Sequence, residues 1–192
     1  MHICFPKRLA HALLTRLIEC EVYPIVNAFI DGAEKFSYCK GRENRGITLF
    51  LKERWNDRRR NPVDSSEELF LGEIFHIACM DEAWKLAPLY EELRDRVPSV
   101  FYRDMYSGEM WLELHPVGAT KADAMLELKK RLGCDRVVCF GDGKNDISMF
   151  RAADECYAVA DAEPELKAIA TDVIGSNEDD GVARWLLEHV TR

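Results

Sequence analysis

The sequence predicts an α/β protein in which an α+β unit precedes part of a doubly wound parallel sheet. Its 192 residues are 47% apolar, which is enough to build a real core. Beyond residue 115, short strand patterns alternate with helical patterns, as in parallel β-α units. Before that point the order is helix, hairpin, helix, strand, helix and strand pair, which predicts mixed or antiparallel pairing. We therefore place a boundary near residue 108, with domains 1–108 and 109–192.

The first domain begins with a predicted helix over residues 6–20. Pro6 suits a first helical position, and leucines then recur at a spacing of four residues. The two strand patterns that follow are separated by Asp31-Gly32, a strong hairpin signal. The remaining predictions are an apolar-to-basic segment at 47–60, a loop at 61–66, a strand at 72–80, a helix at 81–95 that Pro88 starts or kinks, and strands at 97–103 and 110–116.

The second domain alternates helices and strands to its end. The predicted elements are helix 119–133, strand 135–140, helix 145–153, strand 156–160, helix 162–170, strand 172–175 and helix 178–190. This alternation at short spacing predicts parallel β-α units and a doubly wound sheet.

The net charge argues against nucleic acid as a partner, and the short apolar runs argue against a membrane. A formal net charge of -8 disfavours binding to phosphate backbones, which requires many lysines and arginines acting together. No apolar run approaches the roughly 20 residues that span a bilayer, and the opening residues lack the apolar core of a secretory signal. We therefore predict a cytoplasmic protein that binds neither nucleic acid nor membrane.

The seven cysteines predict neither a disulfide framework nor a zinc ribbon, because they are scattered and form no Cys-x-x-Cys pair. We expect most of them to be small buried thiols. His76 and Cys79 have a spacing that could hold a metal. On a β-strand, however, that spacing directs the two side chains to opposite faces, so no metal site is predicted from this pair.

The segment GDGKND at 141–146 follows an apolar strand directly and precedes a helix. Polar groups at the carboxyl end of a parallel strand lie where α/β proteins bind ligands. Asp142 and Asp146 supply hard oxygen ligands suited to Mg²⁺. An Asp/Asn-rich turn with a helix cap is the alternative interpretation. The segment matches neither the dinucleotide fingerprint nor the Walker loop, since it lacks the third glycine of one and the Gly-Lys-Ser/Thr of the other.

Lys121 is the second candidate residue. Thr120 is a credible helix cap with Asp123 three residues later, so Lys121 lies at the positive end of a helix dipole. A cation is disfavoured there unless an anion neutralises it. A phosphoryl group or an ionised carboxylate would do so, whereas the alternative is a solvated surface lysine.

The order and spacing of three segments resemble the haloacid-dehalogenase superfamily, and specifically the Cof-type phosphatases with an inserted α/β cap. These segments are WLELHPVGATKADAMLELKKRLG, RVVCFGDGKNDISMFRAA and ECYAVADAEPELKAIATDVIGSNEDDGVARWLLE. The resemblance is close over about 110–190 and looser over 8–107, where it rests on the helix, the Asp31-Gly32 hairpin and the IFHIAC strand. It implies a partial Rossmannoid core in 109–192 and an α+β cap domain in 1–108.

The resemblance also implies roles for individual residues. It implies that Asp142 binds Mg²⁺ and takes part in catalysis, that Asp146 belongs to the metal site or supports its waters, and that Asn145 helps to bind the phosphate. Lys121 would bind substrate and neutralise nucleophile and phosphoryl charge in the transition state. The implied activity is a magnesium-dependent phosphatase acting on a small phosphorylated metabolite, such as a phosphosugar or a nucleotide-like phosphate.

One expected motif is missing from the sequence. The family's nucleophile is an aspartate in an Asp-x-Asp-Gly motif, and the nearest candidate, Asp31-Gly32, has Phe29 at the nucleophile position. We therefore expect a truncated chain that is inactive alone, since the covalent route needs that carboxylate. The strand at 137–140 would then lie on an open sheet edge, which predicts pairing with an N-terminal fragment, self-association or marginal solubility.

Two other interpretations stay open at this stage. The chain could be a non-catalytic phosphate-binding or regulatory protein of the same superfamily, which would bind a phosphosugar without hydrolysing it. The basic run Arg54, Arg58, Arg59 and Arg60, with Trp55 between, could contact nucleic acid, although net charge weighs against this. Within a cap, the same arginines could recognise an anionic group of a substrate.

Overall fold

The computed structural model describes residues 3–104 and 107–189. The chain divides into two compact units, one ending at Val117 and the other beginning at Gly118. Each unit has its own apolar core. Among the helices that the structure describes, none is long and apolar enough to cross a lipid bilayer.

The first unit is a mixed sheet with helices on both faces. Its elements are α1 (Lys7–Glu19), β1 (Ile25–Ile30), β2 (Ala33–Cys39), α2 (Arg45–Glu53), β3 (Arg60–Val63), a short 3-10 helix (Ser66–Phe70), β4 (Glu73–Met80), α3 (Ala83–Leu93), β5 (Ser99–Arg103) and β6 (Met110–Leu114). The strand order is β3-β2-β1-β4-β6-β5. All neighbours are antiparallel except β2 and β3.

The two faces of this sheet carry different cores because successive strand residues point to opposite sides. On β4, Ile77 and Cys79 join the larger core with the buried leucines of α1 and α3. Ala78 and Met80 instead face a smaller core, to which α2 contributes Ile47 and other apolar residues. From Ile77 to Met80 the residues therefore alternate between the two faces. Ile74 also joins the larger core, because the pairing of β4 with β1 shifts in register between Ile74 and His76.

The hairpin prediction is also confirmed. Ile30 pairs with Ala33 across a two-residue connection. Both Asp31 and Gly32 have positive φ, 50° and 77°, and this is the conformation that a tight turn between twisted antiparallel strands requires. Asp and Gly tolerate positive φ better than other residues, so the local sequence and the turn agree.

The interpretation of residues 61–66 as a loop was wrong in its first half. The structure places Arg60–Val63 as a strand that pairs in parallel with β2, in register from Phe36 against Arg60. Pro62 suggests a loop because it cannot donate a backbone hydrogen bond. β3 lies at the edge of the sheet, however, and an edge strand can accommodate a proline.

The second unit is a parallel three-stranded sheet flanked by helices. Its elements are α4 (Lys121–Leu132), β7 (Val138–Gly141), a short 3-10 helix (Lys144–Asp146), α5 (Ile147–Ala152), β8 (Glu155–Val159), α6 (Pro164–Lys167), β9 (Asp172–Ile174) and α7 (Gly181–His189). The strand order is β7-β8-β9, and both pairings are parallel. The predicted α/β class is therefore confirmed. The predicted final helix extends to Val190, which lies outside the described residues.

The observed division of the chain differs from the predicted boundary near residue 108. β6 follows that point in sequence, yet it pairs with both β4 and β5. These pairings make it an interior strand of the first sheet, so the first unit extends to Val117. The turn at Ser107-Gly108 marks a connection between two strands of one sheet, and turn residues do not distinguish such a connection from a domain linker.

Candidate functional site

The loop that follows β7 forms the centre of the candidate site. Gly141 ends the strand, and a short 3-10 helix then leads into α5. Gly141 has a steric role, since a Cβ atom there would lie 2.8 Å from Asp146 Oδ2 and 2.8 Å from a ring carbon of Phe150. A glycine at this position therefore lets the loop fold back over the strand end.

Asp146 is the residue that organises this loop. It is 4% exposed, and its carboxylate accepts three hydrogen bonds. Oδ2 accepts from the backbone N–H groups of Asp142, at 3.1 Å, and Gly143, at 3.3 Å. Oδ1 accepts from Lys121 Nζ at 2.6 Å. A buried carboxylate needs such partners, and here they come from the loop and from α4.

Lys121 reaches Asp146 from the first turn of α4. Thr120 caps this helix: its hydroxyl accepts from Asp123 N, and the Asp123 carboxylate accepts from Thr120 N. The capping box predicted from the sequence is therefore confirmed. The positive helix end disfavours the ammonium of Lys121, and Asp146 supplies the carboxylate that offsets this. Half of the Lys121 side chain, 51%, stays exposed, so the ammonium also remains accessible to a second anion.

Asp142 and Asn145 differ from Asp146 in that their polar side-chain atoms are uncommitted. Within the described residues, neither side chain has a hydrogen-bond or ion-pair partner. Both are half-buried in the loop, and the backbone oxygen of Asp142 accepts from Glu163 N at 2.8 Å. The loop backbone is thus fixed while the carboxylate of Asp142 and the amide of Asn145 are available to a ligand.

The two aspartates predicted as metal ligands differ in how well their surroundings suit metal binding. The free carboxylate of Asp142 has the hard oxygen atoms that Mg²⁺ prefers. The two oxygens of Asp146 are already used by an ammonium and two backbone N–H groups, which leaves it poorly suited to direct coordination. The residues fit a Mg²⁺ site in which Asp142 is the direct ligand and Asp146 positions Lys121 and the loop.

Two neighbouring groups have surroundings that differ from those of Asp142 and Asn145. Lys144 forms an ion pair with Glu165 at 3.0 Å on the surface, so its charge is already matched. Burial, followed by the influence of Cys156 and Asp146, raises the pKa of the Cys139 thiol to about 12. A thiol with such a pKa is protonated at neutral pH and is a poor nucleophile, so Cys139 does not replace the missing aspartate.

Sequence reasoning missed two features of this site, the steric role of Gly141 and the positioning role of Asp146. The four-residue spacing from Asp142 to Asp146 at a strand-to-helix turn predicted that both carboxylates lie in one loop. It could not tell which carboxylate would turn inward, because that depends on the backbone N–H groups that the loop presents.

The family is identified by the whole pattern. A model of the haloacid dehalogenase-like hydrolases matches residues 9–186. The chain belongs to this family. Its match extends over both units, so the first unit is part of the haloacid dehalogenase-like sequence as well as the second.

Individual haloacid dehalogenase-like relatives support the assignment. A putative phosphatase from Streptococcus pyogenes is 31% identical over 131 residues, which cover 63% of this chain and 47% of that protein. A 5-amino-6-(5-phospho-D-ribitylamino)uracil phosphatase from Bacillus subtilis is 30% identical over 130 residues, covering 65% of this chain and 44% of the relative. The chain thus matches less than half the length of these two relatives.

A solved structure extends the likeness to the fold. A sugar phosphatase of haloacid dehalogenase subclass IIB superposes with a TM-score of 0.75 at 20% identity, and the match covers 97% of this chain and 67% of that one. At this identity the likeness establishes the shared fold. This likeness assigns no role to individual residues such as Asp142 and Asn145.

Proposed function

We propose that the chain supplies the metal-binding and charge-neutralising part of a magnesium-dependent phosphatase. One observation carries the proposal: the buried carboxylate of Asp146 holds both the Lys121 ammonium and the backbone of the loop that bears Asp142. A cation and an uncommitted carboxylate are thereby fixed on one strand end. Positioned charges of this kind are the main contribution that a protein makes to phosphoryl transfer.

Each residue has a distinct role in the proposed reaction. Asp142 would hold Mg²⁺, which when bound offsets negative charge on phosphoryl oxygens. Lys121 neutralises charge on the phosphoryl group and the nucleophile as the transition state forms, and Asn145 donates a hydrogen bond from its amide to a phosphate oxygen. Asp146 acts through Lys121 and the loop backbone, so it is a positioning residue.

The nucleophile is proposed to come from a segment that is not among these 192 residues. The sequence contains no Asp-x-Asp-Gly motif, and β7 is the edge strand of its sheet. Val137 O accepts from Glu155 N, so by alternation the backbone groups of Val138 and Phe140 point to the open side. That edge would receive an N-terminal fragment carrying the nucleophile, or a second copy of the chain.

The proposed substrate is a small phosphorylated metabolite. The names of the relatives support this class, since one dephosphorylates a phosphoribityl compound and a structural neighbour is a sugar phosphatase. In the first unit, Arg59 pairs with Glu34 and Asp57. Arg59 would have to exchange these partners to bind an anionic substrate group. We also propose a cytoplasmic location, where such metabolites are made and used.

Hydrolysis of an aryl phosphate with Mg²⁺ tests the proposal. The 192-residue chain is compared with a version extended at its N-terminus by a segment that carries an Asp-x-Asp-Gly motif. We expect turnover only from the extended protein, with loss of activity in Asp142→Asn. Asp135→Asn is the matched control, because Asp135 is an exposed aspartate of the same unit.

Three outcomes would contradict parts of this account. Turnover by the 192-residue chain alone that disappears in Asp142→Asn would show that the nucleophile lies within the chain. Binding of a phosphosugar without hydrolysis by the extended protein would favour the regulatory interpretation instead. Full activity in the Asp142→Asn variant of the extended protein would show that Asp142 is not the metal ligand.

A further inference from the structure

A group of two histidines and one glutamate lies on the first unit, apart from the residues discussed above. His76 lies on β4, whereas Glu113 lies on β6 and His115 directly follows that strand. The register pairs Ile77 with Leu114. Since side chains alternate along a strand, Glu113 and His115 share one face with His76. One ligand atom from each residue lies within 4.8 Å of the others.

The distances within this His-Glu-His cluster suit a small cation. Glu113 Oε1 lies 3.5 Å from His76 Nε2, and Glu113 Oε2 lies 3.9 Å from His115 Nε2. Ligand atoms at zinc-nitrogen and zinc-oxygen bond lengths of about 2.0–2.1 Å in a tetrahedron are about 3.3 Å apart. The two imidazole rings are stacked, with centroids 4.9 Å apart and planes inclined by 25°. Side-chain rotations that shorten the separations between ligand atoms by at most about 1.5 Å would bring all three around one ion.

His76 provides a second, independent observation. Its Nε2 atom is buried and has no hydrogen-bond partner in the described part of the chain. Its Nδ1 atom lies 3.0 Å from Asn27 Nδ2, so in this structure the amide donates to Nδ1. Rotation of the Asn27 amide by 180° places its oxygen at the same position, where it accepts from Nδ1–H and leaves the lone pair of Nε2 to bind a cation. Metal-binding histidines are commonly oriented by such an acceptor on the other ring nitrogen.

We propose that His76, Glu113 and His115 bind one divalent transition-metal ion of the zinc class. Two neutral imidazoles and one carboxylate form a ligand set typical of Zn²⁺ with an open fourth position for water. Mg²⁺ is disfavoured here because it prefers oxygen ligands and near-octahedral geometry. The three side chains are 16–25% exposed, so an ion can enter the cluster.

Cys79 is not part of this set. Although it follows His76 by three residues, it is fully buried in the core on the opposite face of the sheet. Burial raises its pKa well above the usual range, which disfavours the thiolate that a metal requires. The proposed site therefore contains nitrogen and oxygen ligands only, and this composition distinguishes it from a thiolate site in a spectrum.

Metal titration of the full chain tests the proposal. Zn²⁺ affinity is measured by competition with a chromogenic chelator, and Co²⁺ is added separately as a spectroscopic probe. We expect one Zn²⁺ per chain and a tetrahedral Co²⁺ spectrum without thiolate-to-metal charge transfer. Glu113→Gln and His115→Asn should each weaken binding at least 100-fold. Asn27→Ala should weaken it about 10- to 100-fold, as for other groups that orient a ligand.

Two control variants separate this site from others in the chain. His11→Asn changes a histidine of α1 outside the cluster and should leave Zn²⁺ affinity within twofold. Asp142→Asn should also leave it unchanged, so the result is independent of the proposed phosphatase site. Equal Zn²⁺ affinity in the unaltered chain and in Glu113→Gln would overturn the proposal. A thiolate-to-metal band in the Co²⁺ spectrum of the unaltered chain would overturn it as well.

Discussion

Replacing Asp146 by asparagine tests the central role that the structure gives to this carboxylate. The substitution keeps the volume of the side chain but removes its charge and one of its two acceptor oxygens. The remaining oxygen can accept from the backbone N–H groups of Asp142 and Gly143. The amide nitrogen then faces Lys121, which must turn to water.

The size of the effect follows from burial and from the kind of hydrogen bond lost. Hydrogen bonds to charged groups contribute about 1.5–3 kcal/mol to stability. The Asp146 side chain is 6% exposed, but the Lys121 side chain is 51% exposed and can be rehydrated. We therefore expect Asp146→Asn to lower the free energy of unfolding by about 1–3 kcal/mol. After discounting for solvent screening, the coupling between Lys121 and Asp146 should be about 0.5–2 kcal/mol.

A double-mutant cycle with Lys121→Met isolates that coupling. The unfolding of the second unit must be followed separately from that of the first. Trp185 serves this purpose because it contacts Phe140 and Tyr157 within the second unit. Denaturant titrations of the full chain labelled with 5-fluorotryptophan, monitored by fluorine NMR, resolve this residue, and Trp185→Phe assigns its signal.

The exposed pair of Lys144 and Glu165 is the matched control. Its N–O distance is 3.0 Å, and its side chains are 34% and 62% exposed. A surface pair of this kind should show a coupling of about 0.5 kcal/mol or less. If the cycle on Lys121 and Asp146 gives no larger value, or if Asp146→Asn is stabilising, Asp146 does not organise the loop as argued.

Three further changes have defined outcomes. Gly141→Ala should destabilise the second unit by about 1–3 kcal/mol in the same fluorine assay, because the added Cβ overlaps two buried side chains; no loss would refute the steric argument. Hydrogen bonds from Arg59 lower the pKa of Asp57 to about 2. The ionised Asp57 carboxylate therefore stabilises the folded chain at pH values above its pKa in the unfolded chain, about 3.9, and this stabilisation is lost as the pH falls through about 2. Carboxyl-carbon NMR should show this pKa and its return toward 3.9 in Arg59→Gln, and a normal value in the unaltered chain would contradict the pairing. Sedimentation velocity at micromolar concentration should detect self-association that Val138→Pro weakens, since this N–H faces the open edge; a stable monomer would exclude pairing through β7.

The fold was predictable where local signals and tertiary pairing agree. The hairpin at Asp31-Gly32 and the capping box at Thr120 depend on residues close in sequence, so their chemistry is visible without coordinates. The β-α alternation of the second unit was predictable for the same reason. β3 was missed because Pro62 suggests a loop, whereas its pairing with β2 depends on a partner distant in sequence.

The two candidate sites differ in the same way. Asp142 and Asp146 lie in one short segment, so sequence spacing was enough to place them together. The pairing of Lys121 with Asp146 required the fold, although the dipole argument gave a neighbouring anion as one of two alternatives for this lysine. The His-Glu-His cluster was invisible because His76 meets Glu113 and His115 only through the register of β4 and β6. The spacing along the sequence instead suggested Cys79 as a metal-binding partner of His76, but alternation along the strand places these two side chains on opposite faces.

The charge arrangement around Asp146 also explains how the candidate site can be ordered before a ligand binds. A lysine at a helix N-terminus and a buried aspartate are each unfavourable alone, and each removes the cost of the other. The loop backbone is held by the second oxygen of the same carboxylate. This arrangement needs neither phosphate nor nucleophile to form. Asp142 and Asn145 can therefore be presented in a fixed backbone before a ligand arrives, which reduces the ordering that binding would otherwise require.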